Sequence, residues 1–271
     1  MQWMRSVAGQ VQGVIAIDGK TVRGATPAGS ARHALHMVSA WAADMGLLLG
    51  QRKVDGKSNE ITAIPQLLRL LDVQGCIVTI DAMGCQKTIA GQIVQQRADY
   101  VLALKGNHRH MHAVCKKHFA STEPTAGEHL WSEESSSHSR KEQRHYWVSA
   151  IPESLQRGAK EWAGLQCLVR VQRLRQCAGK EASESTSYYI SSLPANTPAK
   201  VLAHSIRSHW QVENALHWSL DVSFSEDASR VRKDNAAHNL ALMRRLALGQ
   251  LKADKTLKVG IQSKRRRAGW D

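Results

Sequence analysis

Two short apolar segments of the chain each end in an aspartate: VIAID at 14–18 and CIVTID at 76–81. Segments of this length that are rich in Val and Ile are typical of buried strands. Ligand sites in open α/β sheets favour the edge at which strands carry their carboxyl ends. A strand-terminal aspartate also commonly caps a turn or a helix, so the position of each carboxylate alone leaves both interpretations open.

The segments around these two aspartates predict alternating strands and helices. The turn residues Asp44-Met45-Gly46 join two strand-like runs into a hairpin, which makes the first three strands a meander. The predicted elements, in order, are strands ending at Asp18, at 33–44 and at 47–55, a helix at 58–72, a strand at 76–81, a helix at 86–97 and a strand at 99–107. This order predicts an α/β fold, a ribonuclease-H-like mixed sheet with flanking helices.

The pattern changes between residues 121 and 195, where strand-like segments follow a polar loop predicted at Ser135-Ser136-Ser137. Helical signals resume at Thr197-Pro198, a cap residue followed by a proline in the first turn. We therefore predict three regions: a first part of the core at 1–120, a β-rich insertion at 121–195, and a second part of the core at 196–271 that ends in a basic tail.

The charge balance favours a polyanionic partner. The chain has 37 Lys and Arg against 23 Asp and Glu, a formal net charge of +14. Such a balance suits nucleic acid or an anionic membrane surface, and charge alone does not choose between them. Because the sequence has no apolar run of about 20 residues and no apolar stretch near its start, we expect a cytoplasmic protein.

A third carboxylate completes a candidate metal site. Glu213 lies in the helical segment HWQVENALHW, with His209 and His217 four residues away on either side, so the three share a face. Sets of carboxylate oxygens suit Mg²⁺ or Mn²⁺ better than zinc. Two such ions activate an attacking oxygen and stabilise the leaving oxygen in phosphodiester chemistry.

At this point the sequence resembles a known family, the DDE transposases of bacterial insertion sequences, in the branch of the H-repeat-associated proteins of Rhs elements. The matching segments are IAIDGKTVRGA (15–25), KSNEITAIPQLL (57–68), TIDAMGCQKTIA (79–90), ADYVLALKGNH (98–108), HSRKEQR (138–144) and HWQVENALHWSLDVSFSEDASRVR (209–232). The resemblance implies that Asp18, Asp81 and Glu213 are a catalytic triad that binds two Mg²⁺ or Mn²⁺ ions. It also implies cutting and joining of double-stranded DNA at element ends and target. We expect a homodimer on the DNA.

Several basic residues near these motifs are candidate DNA contacts. The candidates are Lys20, Lys57, Lys105, Arg140, Arg144, His209 and His217. Trp210 and Trp218 flank the glutamate, and we expect them to pack in the core, with stacking on DNA bases as the alternative. Asp221 either lends another carboxylate or caps the segment that follows it, and we expect the second.

Some positions depart from the family pattern. Related transposases have a Tyr, Arg, Glu, Lys signature around the glutamate, whereas this sequence has Ile206, His209 and Leu220 at the positions of the Tyr, Arg and Lys. The family's HGR motif appears here as His138-Ser139-Arg140. The ends look short, so a truncated copy is expected. Two alternatives therefore stand beside the transposase: an inactive DNA-binding remnant, and a metal-dependent nuclease that does not join strands. No motif in the sequence indicates which terminal repeats or target site the protein recognises, or whether DNA cleavage passes through a hairpin.

Overall fold

The computed structural model describes residues 11–25, 35–54, 59–122, 129–137 and 140–270. The chain divides into two compact units, the first formed by Met1–Cys76 and Ser208–Asp271 and the second by Ile77–Arg207. The segment 121–195 lies inside the second unit, and its role as an insertion between two parts of a core stays a prediction.

The described elements alternate between strands and helices along most of the chain. In order they are β1 (Val14–Val22), a 3₁₀ helix (Arg23–Ala25), β2 (Leu35–Ala42), β3 (Leu47–Lys53), α1 (Glu60–Leu68), β4 (Ile77–Ile80), α2 (Lys87–Gln95), β5 (Asp99–Leu104), a 3₁₀ helix (Gly106–His108), α3 (Arg109–Ser121), β6 (Leu130–Ser137), β7 (Arg140–Ala150), α4 (Glu153–Ala159), β8 (Cys167–Cys177), β9 (Ser183–Ser191), α5 (Ala199–Gln211), a π-helical segment (Val212–His217), α6 (Trp218–Phe224), α7 (Ala236–Ala253) and α8 (Ile261–Arg267).

The strands of the first unit form the predicted meander. The order is β3-β2-β1, and both neighbouring pairs are antiparallel. The turn between β2 and β3 contains Gly46 with a φ of +64°, a conformation that glycine adopts without strain. Helix α1 packs on β2 and β3 through a buried face that includes Ile64 and Leu67. The predicted hairpin and covering helix are confirmed.

The second unit contains a mixed sheet in the strand order β4-β5-β9-β8-β7-β6. The pair β4 and β5 is parallel, as the intervening helix predicts, whereas the remaining neighbours are antiparallel. Helix α5 packs on this sheet through Leu202, Ala203 and Ile206. The α/β class, with a mixed sheet and flanking helices, is confirmed.

The predicted loop at Ser135-Ser136-Ser137 is wrong. These serines end strand β6, where Ser135 pairs with Glu142 and Ser137 with Arg140 of β7. A run of exposed serines carries no apolar alternation, but backbone pairing with a long neighbouring strand does not require it.

Among the described residues, no helix has both the length and the apolar character needed to cross a membrane.

Candidate active site

Asp18 lies in the middle of β1, so the prediction that this strand ends at the aspartate is wrong. The antiparallel pairing places Asp18 opposite Ser39 and continues to Val22 opposite Leu35. The strand extends because its polar residues find partners: Thr21 Oγ1 lies 2.8 Å from His36 Nδ1, for example. Successive side chains alternate between the faces of a strand, so Asp18 and Lys20 project from the same face.

The helix that carries Glu213 packs directly against β1 within the first unit. Val14 and Ala16 of β1 belong to one apolar cluster with Val212, Leu216 and Leu220 of the helix. This packing leaves the Glu213 side chain exposed to solvent. The element order of the sequence did not reveal this contact, because about 190 residues separate the two segments.

His217 faces Asp18. The imidazole Nδ1 lies 3.6 Å from Asp18 Oδ2, and the His217 side chain is only 13% exposed. Burial, followed by the nearby Lys20 and Arg245 charges, lowers the pKa of His217 to about 3. A neutral imidazole at this distance makes neither an ion pair nor a normal hydrogen bond with the carboxylate. The predicted DNA contact of His217 stays a prediction, although its ring lies beside the candidate catalytic aspartate.

Lys20 belongs to a group of five charged residues that we call the ionic cluster: Lys20, Asp221, Glu226, Asp227 and Arg245. The buried Lys20 ammonium lies 2.8 Å from Asp221 Oδ1 and 3.1 Å from Asp227 Oδ1. Asp221 therefore balances a lysine charge, and the expectation that it only caps a turn is wrong. To bind a DNA phosphate, Lys20 would have to exchange these carboxylates for it, so its DNA-binding role stays a prediction.

The deepest part of the ionic cluster is the pair of Arg245 and Glu226. Arg245 Nη1 lies 2.7 Å from Glu226 Oε1, and neither side chain is exposed. Burial lowers the pKa of Arg245, and the Glu226 carboxylate opposes that shift. Arg245 also donates to the Ala241 carbonyl within α7. This pair fixes α7 to the loop that follows α6, since a charge buried at this depth requires a partner.

Asp81 lies in the second unit, directly after β4. Its Oδ1 atom accepts hydrogen bonds from the backbone N–H groups of Met83, at 3.0 Å, and Gly84, at 3.2 Å. The tight turn expected after CIVTID is therefore formed by the aspartate itself. In the part of the chain that the structure describes, no hydrogen bond reaches the other oxygen, Oδ2, which stays available to a ligand.

The segment after β5 holds the Asp81 turn in place. Asn107 Nδ2 donates to the Ala82 carbonyl at 2.7 Å, and His108 Nε2 lies 2.6 Å from the Cys85 carbonyl. Parallel pairing puts the carboxyl ends of β4 and β5 at one edge of their sheet. Lys105 follows β5 and is exposed at this edge, as its predicted DNA contact requires.

Arg140 and Arg144 both lie beside Glu142 on strand β7. The buried Glu142 carboxylate accepts a hydrogen bond from Arg144 Nη2, and Arg140 Nε lies 3.4 Å from Glu142 Oε1. Arg144 is only 11% exposed, whereas Arg140 is 47% exposed. Of the two predicted DNA contacts, Arg140 has the geometry that reaches solvent.

The remaining predicted site residues divide into those outside the structure and those on the helix. Lys57 lies outside the described residues, as do His138 and Ser139. His209 is half-buried on α5 and adds to the positive field that lowers the pKa of His217.

The expectation that Trp210 and Trp218 pack in the core is wrong. They are 45% and 59% exposed. The two tryptophans are eight residues apart, which is more than two α-helical turns of about 3.6 residues each, and the π-helical segment lies between them.

The three carboxylates have the donor chemistry that hard divalent ions prefer. Asp81 retains an available oxygen, Glu213 is exposed, and Asp18 is half-buried beside a neutral imidazole. Within the described ranges, no group of three or more His, Cys, Asp or Glu side chains is close enough to hold a metal ion. The two-ion site stays a prediction.

Several known proteins similar to this chain are putative transposases by name. The chain is 42% identical over 271 residues to "Putative transposase YncI" of Escherichia coli O157:H7, covering 98% of this chain and 69% of that protein. It is 40% identical over 276 residues to "H repeat-associated putative transposase YhhI" of Escherichia coli strain K12, covering 100% of this chain and 72% of that protein. "Putative protein YbfL" of the same strain is 41% identical, with the same shares covered.

The comparison of structures gives a weaker likeness. A cryo-EM structure of the piggyBac transposase synaptic complex with hairpin DNA matches with a TM-score of 0.49 and 12% identity, over 95% of this chain and 52% of that one. By contrast, the sequence model described as "Transposase DDE domain" matches residues 9–249, nearly the whole chain. The segments quoted above, from IAIDGKTVRGA to the glutamate helix, lie within that match. The chain therefore belongs to the DDE transposase family.

Proposed function

We propose that this protein is a metal-dependent DNA transposase that cuts DNA at the ends of an insertion sequence and joins the exposed strands to target DNA. Asp18, Asp81 and Glu213 are its catalytic carboxylates in this proposal. The observation that carries it is the packing of the Asp18 strand against the Glu213 helix within a chain of the DDE family.

Two of the three carboxylates would be held in place by their own surroundings before divalent ions bind. Asp81 offers one oxygen while the other keeps its turn closed, so its orientation is set before any ligand arrives. Asp18 is held by antiparallel strand pairing on β2. Bound Mg²⁺ or Mn²⁺ would supply charge stabilisation for the attacking and leaving oxygens of phosphodiester chemistry.

DNA is the partner that this proposal requires. The net charge of +14 favours a polyanion, and the exposed Lys105 and Arg140 supply ammonium and guanidinium groups for phosphates. Trp210 and Trp218 present exposed aromatic rings beside Glu213, a surface that stacks on unpaired bases. Membership of the family extends these features to double-stranded DNA at element ends and target, with a homodimer as the expected assembly.

Cleavage of DNA tests the proposal. The substrate is DNA carrying the terminal repeats of the element that encodes the chain, incubated with the protein and Mg²⁺ or Mn²⁺. We expect strand cleavage that disappears on chelation and in Asp81→Asn, which removes one metal-binding charge but keeps the turn. Asp234→Asn is the matched control, because Asp234 is exposed and makes the same change of charge.

The outcomes separate the candidate functions. DNA binding without cleavage at any concentration of either ion would favour an inactive DNA-binding remnant. Cleavage without joining would favour a nuclease. Unchanged cleavage in Asp81→Asn would contradict the catalytic role of that residue.

A further inference from the structure

The residues around Glu213 do not form an ordinary α-helix. Val212–His217 is π-helical and lies between α5 and α6. The Trp218 N–H donates to the Glu213 carbonyl, a spacing of five residues in place of four. A π-helical turn contains one more residue than an α-helical turn, is rare, and occurs frequently at functional sites. Something in the surrounding structure must therefore stabilise it.

Lys252, near the end of α7, contacts this segment through its side chain. Its ammonium Nζ donates a hydrogen bond of 2.6 Å to the carbonyl oxygen of Ala215, in the middle of the π-helical segment. A side chain that binds a backbone carbonyl in this way is one of the known causes of departures from regular α-helix. The bond joins residues 37 positions apart.

The Lys252 side chain is itself held in place. Its Nζ lies 4.6 Å from the centroid of the Trp41 ring, and Trp41 is 1% exposed. Trp41 belongs to the same apolar cluster as Val212 and Leu216, the buried face of the π-helical segment. Burial, and then the charge of Lys255, lowers the pKa of Lys252 to about 8. An ammonium placed here at a desolvation cost needs a strong acceptor, and the Ala215 carbonyl is one.

The two sides of the segment thus have different roles. Val212 and Leu216 anchor it to the core, while Glu213 is exposed to solvent. Returning the segment to α-helix would shift the register by one residue, which rotates Glu213 by about 100° relative to the helix that follows. The direction of the carboxylate depends on the helical form.

We propose that Lys252 is a positioning residue for Glu213: its bond to the Ala215 carbonyl stabilises the π-helical form of Val212–His217 and so sets the direction of the glutamate. The family match ends at residue 249, three residues before this lysine. The catalytic consequence rests on the proposed function, whereas the conformational consequence does not.

The test compares Lys252→Met, which keeps the length and loses the donor, with Lys252→Arg, which keeps a charged donor. Lys258→Met is the matched control, because Lys258 is exposed and loses the same charge. The first readout is amide hydrogen exchange of residues 212–218, including the Trp218 N–H. We expect about tenfold faster exchange in Lys252→Met, confined to this segment, because the variant loses one charge-assisted hydrogen bond. Lys252→Arg should restore most of the protection, and Lys258→Met should change nothing.

The second readout is strand cleavage with Mg²⁺. At saturating DNA the cleavage rate of Lys252→Met should fall about tenfold while the Kd for DNA stays within about twofold, and Lys252→Arg should recover activity. Unchanged exchange at 212–218, or an increase that extends equally through β1, β2 and β3, would overturn the proposal. An unchanged cleavage rate despite faster exchange would overturn it as well. If the unmodified protein cleaves no DNA, the proposed function fails, and hydrogen exchange still decides whether Lys252 holds the π-helical form.

Discussion

The surroundings of Asp81 and of Asp18 are built in opposite ways. The Asp81 carboxylate is held by backbone groups two and three residues away, and its turn is secured by Asn107 and His108 in the next loop. Asp18 lies within a strand beside the ionic cluster, whose contacts join Lys20 to residues 201 and 207 positions later. A local turn tolerates a change that preserves one acceptor, whereas a buried ionic cluster loses stability when any single member is removed.

The largest effect should follow from opening the buried pair. Arg245→Met leaves the Glu226 carboxylate buried without its partner, and we expect a loss of about 3–5 kcal/mol in the free energy of unfolding, the usual cost of an unpaired buried charge. The double change Arg245→Met with Glu226→Leu should recover most of it. Urea denaturation of the three variants measures this. Equal losses in the single and double variants would show that packing, not charge pairing, stabilises this region.

A smaller loss is expected at the edge of the same cluster. Lys20→Met leaves Asp221 and Asp227 without their ammonium and should cost about 1–3 kcal/mol. Lys105→Met, near the Asp81 turn, is the control. Because Lys105 is exposed, the free energy of unfolding should stay within about 0.5 kcal/mol of the unmodified protein while DNA binding weakens. Denaturation and DNA titration are run on both variants. Lys20 would instead be a surface DNA contact if its replacement weakened DNA binding and left stability unchanged.

The Asp81 turn should show the weakest dependence on charge. Asp81→Asn keeps an oxygen that accepts from the Met83 and Gly84 N–H groups, so its free energy of unfolding should match the unmodified protein within about 0.5 kcal/mol. Asp81→Ala removes that oxygen and should cost about 1 kcal/mol. Denaturation of the pair separates the acceptor from the charge. A loss in Asp81→Asn as large as in Asp81→Ala would contradict a turn held by the acceptor alone.

The pH dependence of stability gives the finest comparison. Burial lowers the pKa of Lys252 from 10.5 to about 8, so between pH 8 and 10.5 the folded protein has released a proton that the unfolded chain still binds. The free energy of unfolding should therefore rise with pH across this window, relative to Lys252→Met. The difference in the free energy of unfolding between the unmodified protein and Lys252→Met is measured at pH 7.5 and at pH 10. In this difference the contributions of titrating groups common to both proteins cancel. A difference that does not change with pH would show that Lys252 is solvated.

The parts of the fold that the sequence predicts are those that depend on neighbouring residues. Apolar runs and turn residues indicate the β1–β3 meander and the parallel pairing of β4 with β5, and the Asp81 turn follows from its position before Ala82-Met83-Gly84. The ionic cluster could not be predicted, because Lys20 lies 201 and 207 positions before Asp221 and Asp227, and an isolated lysine in a sequence is usually a surface residue. The acidic residues of SLDVSFSED were a partial signal, since Asp221 lies within α6 and Glu226 and Asp227 follow it, which is more carboxylates than capping needs.

The π-helical segment had no signal in the sequence either. The spacing of Val212, Leu216 and Leu220 is compatible with an α-helix, and the two forms are distinguished only in the structure, by the Trp218 N–H bond to the Glu213 carbonyl. For the same reason the exposure of Trp210 and Trp218 was not foreseen. Strand β6 was missed because its serines are exposed and its pairing with β7 is made by the backbone.

Strand joining tests the central claim most directly. The protein is mixed with Mg²⁺, target DNA and a pre-nicked element end that bears a free 3′ hydroxyl, so that only the joining step is required. We predict a joined product that Glu213→Gln does not form, although its DNA binding is unchanged. No joined product from the unmodified protein, or equal product from Glu213→Gln, would contradict the account of this chain as a transposase that uses Glu213.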